Sequence, residues 1–316
     1  MTKIISITVN PAIDKSTTVA GIRPNSKLRC AVPVFEPGGG GINVSRAIKK
    51  LGGNSLCTYL AGGSPGAHLN SLLEQEGIEQ KQLHIKKWTR ENLSVTDTNN
   101  NHQYRFGMPG PVIEEEEWQQ GLKLLKASIA EGDYVVASGS LAPGIPVDFY
   151  ARVALLVQKQ KAKLILDTFG EPLLLGARAG VYMLKPNLGE LSALCGVAYI
   201  SAVELEDLAK KYLEKNSCEV IVVSMGPKGA LLVTKNITEH IPAPVVHQKS
   251  TIGAGDSMVA GMVFSMAQGK SMTEMARYGV ACGTAATMNP GTQLCKKEDA
   301  NTLYQWIHSN QNSFRR

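Results

Sequence analysis

The sequence predicts an α/β fold in which a mostly parallel sheet is covered by helices on both faces and carries a small β-sheet lid. Strand-like patterns alternate with helical patterns along most of the chain, which is typical of parallel sheets. Two other stretches show hairpin patterns that belong to no strand–helix–strand unit. The chain has 316 residues, 43% of them hydrophobic, which suffices for one large core with an appendage.

The alternating part begins with an apolar, β-branched run at Lys3–Val9, which predicts a buried first strand. The later strands are predicted at Leu56–Ala61, Tyr134–Ala137, Leu164–Asp167, Val181–Leu184, Val220–Ser224 and Ala230–Thr234. Helices between them are predicted at Ala67–Glu76, Glu115–Ala130, Val147–Lys159, Leu188–Cys195 and Val203–Asn216. The chain ends with helices predicted at Asp256–Gln268, Thr273–Met288 and Asp299–His308.

Two excursions, at about 15–36 and 88–108, predict the lid. Each contains short extended segments separated by turn residues, such as Arg29–Phe35 in the first and the turn Asn99–Asn101 in the second. We expect the two to form one small sheet whose exposed strands pair across a homodimer. The chain as a whole, 1–316, is predicted to be a single domain with this lid as a sub-domain.

Composition narrows the class of protein. The net charge of +6, from 33 basic and 27 acidic residues, is scattered along the chain, which favours small anionic ligands over a nucleic-acid groove. The six cysteines form no C-x-x-C pair, no apolar run has membrane-spanning length, and no signal peptide is recognisable. We therefore predict a cytoplasmic protein with reduced thiols that contacts neither membranes nor nucleic acids.

The strongest functional motif is Ser250–Ser257, which precedes an apolar helical segment. Gly253, Ala254 and Gly255 lie at the predicted helix N-terminus, where unpaired N–H groups and the helix dipole bind anions. Asp256 falls in the first turn, where it can hold a hydroxyl group and take its proton as the oxygen attacks phosphorus. Taken alone, such a motif is more often a capping aspartate in an ordinary strand–helix connection, and the other segments of the chain favour phosphoryl chemistry here.

Further polar segments follow predicted strands. Four glycines, 38–41, lead into a helix that carries Asn43, so a ligand can lie directly on the backbone. Asp14 lies beyond the first strand, at the edge where open α/β sheets bind ligands, although it is also a common turn residue. The first strand is not followed by G-x-G-x-x-G, which argues against a nicotinamide site.

Two later segments predict nucleotide and metal contacts. Lys185–Glu190 follows one strand, and its Asn187 and Glu190 are spaced to face one cleft and to suit hydrated Mg²⁺. Ser224–Gly229 follows the next strand and forms a polar turn that a nucleotide can cover. In the lid, Arg90 and Arg105 flank one hairpin and can bind a phosphate ester, although isolated surface cations are common. Together these loops predict a cleft that binds phosphates.

These residues resemble the PfkB (ribokinase-like) family of sugar kinases over nearly the whole chain. Two family motifs are present, Gly38–Asn43 and Thr251–Ser257. Within the family, the chain looks most like the bacterial minor 6-phosphofructokinases. That finer similarity is carried by Lys27–Cys30, Pro33–Val44, Trp88–Arg90, Gln103–Phe106, Ser138–Leu141, Lys185–Glu190, Gly291, Thr292, Leu294 and Cys295.

The resemblance implies a ribokinase-like fold and an ATP-dependent, Mg²⁺-dependent transfer to the C1 hydroxyl of fructose 6-phosphate, with Asp256 as the base and 253–255 as the anion hole. The sugar phosphate would contact Asp14, Gly39, Gly40, Asn43, Arg90, Arg105, Ser140 and Lys27. ATP would contact Lys185, Asn187, Ser224, Gly226, Gly229, Thr251, Val280 and Thr284, with Glu190 organising Mg²⁺. A K⁺ loop is implied at Ser250, Ile252, Ala286, Asn289, Gly291 and Gln293.

The chain departs from the related enzymes at the K⁺ loop, where they carry Arg in place of Gln293, a change that backbone carbonyl ligands can tolerate. Inhibition by excess ATP, involving Lys27, is a further implication of the resemblance. Kinases of tagatose 6-phosphate or fructose 1-phosphate are alternatives within the class. A regulator that binds sugar phosphate and nucleotide without chemistry is the alternative from another class, and the intact Gly253–Asp256 segment argues against it.

Overall fold

The computed structural model describes residues 2–310. Its strands are β1 (Ile4–Thr8), β2 (Ala12–Val19), β3 (Val34–Gly38), β4 (Leu56–Ala61), β5 (Glu79–His84), β6 (Arg90–Asp97), β7 (His102–Phe106), β8 (Tyr134–Ser138), β9 (Lys163–Asp167), β10 (Val181–Leu184), β11 (Cys218–Ser224), β12 (Ala230–Thr234) and β13 (Thr238–Ile241). Its helices are α1 (Gly40–Lys50), α2 (Gly63–Gln75), α3 (Glu115–Ser128), α4 (Phe149–Lys159), α5 (Gly170–Arg178), α6 (Leu188–Cys195), α7 (Leu205–Lys215), α8 (Ala254–Ala267), α9 (Met272–Thr287) and α10 (Lys297–Ser309).

Nine strands form the large sheet, in the order β13-β12-β11-β10-β9-β8-β1-β4-β5. All neighbours are parallel except at one end, where β12 pairs antiparallel with both β11 and β13. One face is covered by α1, α8, α9 and α10, and the other by α3 to α7, each through its own buried apolar cluster. The predicted α/β architecture with a mostly parallel sheet is therefore confirmed.

A separate four-stranded sheet has the order β3-β2-β6-β7. It joins the two predicted excursions, since β2 pairs parallel with β6 while β3 and β7 lie antiparallel on the outside. The first excursion contains less strand than expected: residues 29–33 are irregular, because Val32 is 89% exposed and Pro33 offers no N–H to a ladder. The division into a domain with a lid at about 15–36 and 88–108 stays a prediction.

Three elements were not anticipated. The edge strand β5 has the sequence EQKQLH, in which polar side chains alternate between exposed and half-buried positions, so it lacks an apolar pattern. The short helix α5 begins at Gly170 and includes Pro172, which are weak helix formers. The strand β13 at Thr238–Ile241 completes the antiparallel end of the sheet. Within residues 2–310, no helix is long and apolar enough to span a membrane.

The glycine-rich segment before α1 is held by one buried cation. The Arg46 guanidinium donates to the carbonyl oxygen of Pro37 at 2.8 Å and to the Glu76 carboxylate at 2.7–3.0 Å. It also reaches Glu36 at 3.3 Å. A buried cation is tolerated only when it is paired and hydrogen-bonded, and this one ties α1 to α2 and β3. The start of α1 is thereby fixed at the carboxyl edge of the large sheet.

Candidate active site

Two helix N-termini converge at the carboxyl edge of the sheet. Helix α1 begins at Gly40 and α8 at Ala254, and the two helices pack together. The Asn43 side-chain amide donates to Asp256 Oδ2 at 2.9 Å across 213 positions of sequence. The positive ends of both helix dipoles are therefore directed at the same site, and this favours the binding of an anion there.

Glycine is needed at the start of α1 because the backbone passes close to β8. A Cβ atom on Gly40 would lie 2.3 Å from Ser138 Oγ and 2.8 Å from the backbone nitrogen of Gly139. The next turn is fixed by the backbone N–H of Ile42, which donates to Thr8 Oγ1 at 2.9 Å. Gly40 thus lets the helix start lie directly on the ends of β1 and β8, where Asn43 can reach Asp256.

The start of α8 is open to a ligand. Its cap residue, Gly253, has the left-handed conformation with φ of +72° and supplies no side chain to bond the first-turn N–H groups. These groups are the ones that an α-helix leaves without internal partners. Gly253, Ala254 and Gly255 therefore have the geometry expected of an anion hole, and their role in catalysis stays a prediction.

The charges around Asp256 include one residue that the sequence reasoning missed. Asp167, the last residue of β9, forms an ion pair of 3.1 Å with the buried Lys185 at the end of β10. Burial lowers the pKa of Lys185, but the carboxylates of Asp167, Glu190 and Asp256 together outweigh it and the pKa is raised, so this lysine stays charged. An acidic residue at the carboxyl end of a predicted buried strand was the available signal for Asp167.

The Asp256 carboxylate is half-buried. Burial, followed by the charge of Asp167, raises the pKa of Asp256 to about 7, although Asn43 and Lys185 act to lower it. A carboxylate whose pKa lies near the working pH is suited to general base catalysis.

We expect kcat/KM to report this titration. It should rise about tenfold per pH unit while Asp256 is being deprotonated and level off above a pH of about 7. Asp167→Asn removes a neighbouring negative charge, so the bend in the pH profile should move to lower pH whatever the absolute rate. Asp148→Asn, at a surface carboxylate that pairs with Arg152 of α4, should leave the bend in place. A bend that does not move in Asp167→Asn would contradict this account.

A cavity of about 340 Å³ adjoins the anion hole. It contains six of the eight residues predicted to contact ATP: Ser224, Gly226, Gly229, Thr251, Val280 and Thr284. Its walls also include Ala243, Val245 and Val246, which offer an apolar surface to a flat base. The cavity ends at Ala254 and Gly255, so a molecule within it can extend a phosphate chain to the start of α8.

The remaining two predicted nucleotide residues lie between this cavity and Asp256. A Cβ atom on Gly255 would be 3.6 Å from Lys185 Nζ, so that ammonium group lies beside the anion hole. Asn187 caps α6, and its neighbouring backbone bridges to Ser224 at the cavity. Both residues stay predicted ligand contacts.

Glu190 is the predicted Mg²⁺ residue. Its Oε2 accepts the backbone N–H of Asn187 at 2.8 Å, and burial raises its pKa above the usual value. Within residues 2–310, no group of three or more His, Cys, Asp or Glu residues could hold a metal by itself. The donors present suit a hydrated ion held by one carboxylate and by nucleotide phosphates, which is how proteins commonly bind Mg²⁺.

The two segments of the predicted K⁺ loop meet. The Ser250 hydroxyl donates to the carbonyl oxygen of Gly291 at 2.7 Å. Backbone oxygens of this kind suit a hard monovalent cation, which would compete with Ser250 for the Gly291 carbonyl. The Asn289 amide instead bonds the carbonyl oxygens of Ala285 and Leu294, and the side chain of Gln293 is exposed. Ile252 and Ala286 lie in the same two segments.

The predicted sugar end lies where the small sheet meets the large one. Asp14 is within β2 rather than in a turn, and its Oδ1 accepts the side-chain amide of Asn92 at 2.8 Å. Arg90, at the start of β6, donates to the carbonyl oxygens of Asn10 and Met108 at 3.0 Å each. Burial lowers the pKa of Arg90, and Asp14 opposes this. Gly39 directly precedes α1 and is half-buried.

Two predicted sugar-phosphate residues stand apart. Lys27 lies in the irregular segment between β2 and β3, and Arg105 lies on the outer strand β7. Both are exposed, and neither side chain forms a hydrogen bond or ion pair with another residue of 2–310. Ser140, by contrast, follows β8 and accepts a hydrogen bond from Asn10 at 3.0 Å.

Comparisons with known proteins show which family the chain resembles. Residues 2–299 match the family model of the pfkB family carbohydrate kinases. The chain is 41% identical to ATP-dependent 6-phosphofructokinase isozyme 2 of Escherichia coli strain K12 over 309 residues, covering 97% of this chain and 99% of that protein. It is 32% identical to 1-phosphofructokinase of Bacillus subtilis strain 168 over 286 residues, covering 90% and 93%.

Solved structures show the same similarity. Phosphofructokinase-2 from Escherichia coli in complex with potassium has a TM-score of 0.94 and 40% identity, over 98% of this chain and 100% of that one. The same enzyme in complex with fructose-6-phosphate has a TM-score of 0.92 and 39% identity, with the same coverage.

Proposed function

Since the chain belongs to the pfkB family of carbohydrate kinases, we propose that it transfers the γ-phosphoryl group of ATP to the C1 hydroxyl of fructose 6-phosphate. The observation that carries this proposal is the bond between Asn43 and Asp256, which places the Asp256 carboxylate between two helix N-termini. The product would be fructose 1,6-bisphosphate, and ADP would leave.

Asp256 is the base in the proposed mechanism. Its carboxylate accepts the proton of the C1 hydroxyl while that oxygen forms a bond to the γ-phosphorus. The bond from the γ-phosphorus to the β,γ-bridging oxygen breaks, and its electron pair leaves with ADP. Asn43 holds the carboxylate through its 2.9 Å hydrogen bond to Oδ2, and this bond fixes the orientation of the carboxylate toward the C1 hydroxyl.

The first-turn N–H groups of α8 stabilise the transferring group. They point along the dipole at the place where negative charge spreads over the phosphoryl oxygens. Lys185 is buried and adds a positive charge beside Gly255. Mg²⁺ bound near Glu190 would neutralise phosphate charge, and K⁺ at the loop of Ser250 and Gly291 would support the start of α8.

The sugar phosphate would be held at the other side of Asp256. Asp14, Gly39, Gly40 and Asn43 would bond sugar hydroxyls. Arg90 and Ser140 would bind the 6-phosphate, with Arg105 and Lys27 contributing if the lid sheet closes over it or a second chain supplies them.

The proposal is tested by steady-state rates with ATP·Mg²⁺ against a panel of phosphorylated ketohexoses. We expect the highest kcat/KM for fructose 6-phosphate. The similarity to 1-phosphofructokinase makes fructose 1-phosphate the second candidate, and tagatose 6-phosphate completes the panel. Nucleotide binding without product from any of the three would support a regulator instead.

We further propose a homodimer formed through the small sheet. Strand β7 lies at the sheet edge and is exposed along its whole length, with Tyr104 and Phe106 exposed by 39% and 49%. A strand whose outer edge is unpaired is a template for a second chain, and the two exposed aromatic side chains offer apolar surface to it. We expect light scattering to give twice the mass of one chain for the wild type. The Phe106→Glu variant should give the mass of a single chain. Leu155→Glu, at a similarly exposed site on α4, should leave the dimer intact, and a wild-type monomer would refute this assembly.

Placement in the cytoplasm is a proposal as well. All six cysteines are free thiols, and five of them are buried or half-buried. Such thiols are kept reduced in cytosolic proteins.

A further inference from the structure

Asn10, just beyond β1, lies at the joint between the two sheets. Its side-chain amide donates to Ser140 Oγ at 3.0 Å and more weakly to the carbonyl oxygen of Leu141 at 3.4 Å. Its main-chain carbonyl oxygen accepts a hydrogen bond from the Arg90 guanidinium at 3.0 Å. One residue therefore contacts both of the groups that the proposed function assigns to the 6-phosphate.

The side-chain oxygen of Asn10, Oδ1, has no partner. Asn10 is 6% exposed, and its Oδ1 is a buried polar atom without a hydrogen bond within residues 2–310. Gly110 covers it so closely that a Cβ atom there would lie 2.2 Å from Oδ1. An unsatisfied buried acceptor lowers stability. The Oδ1 atom of Asn10 therefore lowers the stability of the fold, while the Nδ2 atom of the same amide forms the hydrogen bond to Ser140.

The bond to Ser140 decides which way its hydroxyl points. Because Ser140 Oγ accepts the amide hydrogen, its own hydrogen is free to be donated to a phosphate oxygen. Arg90 is fixed in a similar way, since three of its five N–H groups are directed at the carbonyl oxygens of Asn10, Pro11 and Met108. Two N–H groups remain, which is the number needed for a bidentate phosphate contact.

We propose that Asn10 is a positioning residue for binding of the substrate's phosphate: it aligns the Ser140 hydroxyl as a donor and anchors the Arg90 guanidinium. This inference rests on the proposed function. Asn10 itself does not touch the sugar phosphate, because its polar atoms are either buried without access or already bonded. Its effect is therefore expected on sugar-phosphate affinity rather than on ATP affinity or the chemical step.

Two substitutions separate positioning from structural support. Asn10→Asp has nearly the same shape but replaces the donor by an acceptor, so the Ser140 hydroxyl must turn toward residue 10 and away from phosphate. Asn10→Leu keeps the branch at Cγ, removes the donor, and also removes the unsatisfied oxygen. We expect KM for fructose 6-phosphate to rise about tenfold or more in both variants, as for loss of one hydrogen bond to a charged group. KM for ATP should change by less than about twofold, which is small beside the tenfold change expected in KM for fructose 6-phosphate.

Thermal unfolding supplies the second readout. The midpoint of Asn10→Leu should not fall below that of the wild type, because the lost donor bonds are offset by removal of the unsatisfied oxygen. Arg90→Ala serves as the positive reference for sugar-phosphate affinity. Asn236→Leu, in the exposed turn between β12 and β13, serves as the matched control with unchanged kinetics.

The outcomes are distinct. An unchanged KM for fructose 6-phosphate in Asn10→Asp, with a raised KM in Arg90→Ala, would overturn the role of Asn10 and leave the proposed function intact. Equal rises in both KM values together with a lowered midpoint would show structural support only. Failure of the wild type to phosphorylate any ketohexose phosphate would instead overturn the proposed function.

Discussion

Replacing Asp256 by Asn is expected to lower kcat by about 10²–10⁴-fold, the usual contribution of a positioned general base. The substitution keeps the shape of the side chain and an oxygen that can accept from Asn43, so α1 and α8 should stay in register. KM for ATP should stay near the wild-type value, because the nucleotide cavity lies on the other side of Gly255. Rapid-quench measurement of a single turnover would assign the loss to the chemical step.

The same variant carries a stability signature. Because the pKa of Asp256 is raised to about 7 in the folded protein, the folded state binds more protons than the unfolded state between the ordinary carboxyl pKa and pH 7. Wild-type stability therefore falls as the pH rises through that window. Asp256→Asn lacks this fall in stability. The thermal unfolding midpoint of the variant should therefore exceed that of the wild type at pH 8 and equal it near pH 4.

Asp148→Asn is the matched control, since Asp148 is exposed and pairs with Arg152 on the surface of α4. It should change neither kcat nor the pH dependence of unfolding. Full turnover in Asp256→Asn would remove this residue from the mechanism, and a loss equal in both variants would point to impure or misfolded protein.

The sequence predicted the two halves of this site separately and could not join them. The glycine segment 38–41 and the Gly253–Asp256 segment each indicate a helix start that accepts a ligand, because local backbone chemistry determines that property. The hydrogen bond from Asn43 to Asp256 depends on how α1 and α8 pack on one face of the sheet. No local pattern encodes a contact between residues so far apart.

The residues that sequence reasoning missed share this origin. Asp167 was seen as the end of a strand, and Lys185 as a nucleotide contact, but their ion pair arises only because β9 and β10 are neighbours in the sheet. Asn10 carries no motif of its own. Its importance depends on Gly110 and Ser140, which approach it from distant parts of the chain. Asp14 was predicted to lie beyond the first strand, either as a ligand contact or as a turn residue, yet pairing with β3 and β6 makes it part of a strand.

Replacing Gly255 by Val is expected to abolish phosphoryl transfer while the fold survives. Gly255 has ordinary helical geometry, and the nearest atom to an added Cβ is the flexible end of Lys185 at 3.6 Å. The branched side chain would nevertheless occupy the space in front of the first-turn N–H groups, where the phosphoryl group must lie. Removing a single donor of this kind costs about 10²–10³ in kcat, and blocking the whole anion hole should cost at least as much.

The design of this experiment depends on separating obstruction from unfolding. Val has at least as good a helix propensity as Gly, so the thermal midpoint of the free protein should not drop. The affinity for ATP should fall because the Val side chain occupies the space in which the γ-phosphate would bind. Fructose 6-phosphate should still bind through Arg90 and Ser140. Ala67→Val, exposed near the start of α2, is the matched control for a β-branched residue in a helix start. If Gly255→Val turns over normally, the phosphoryl group does not approach the tip of α8, and the anion hole must be sought at the start of α1 instead.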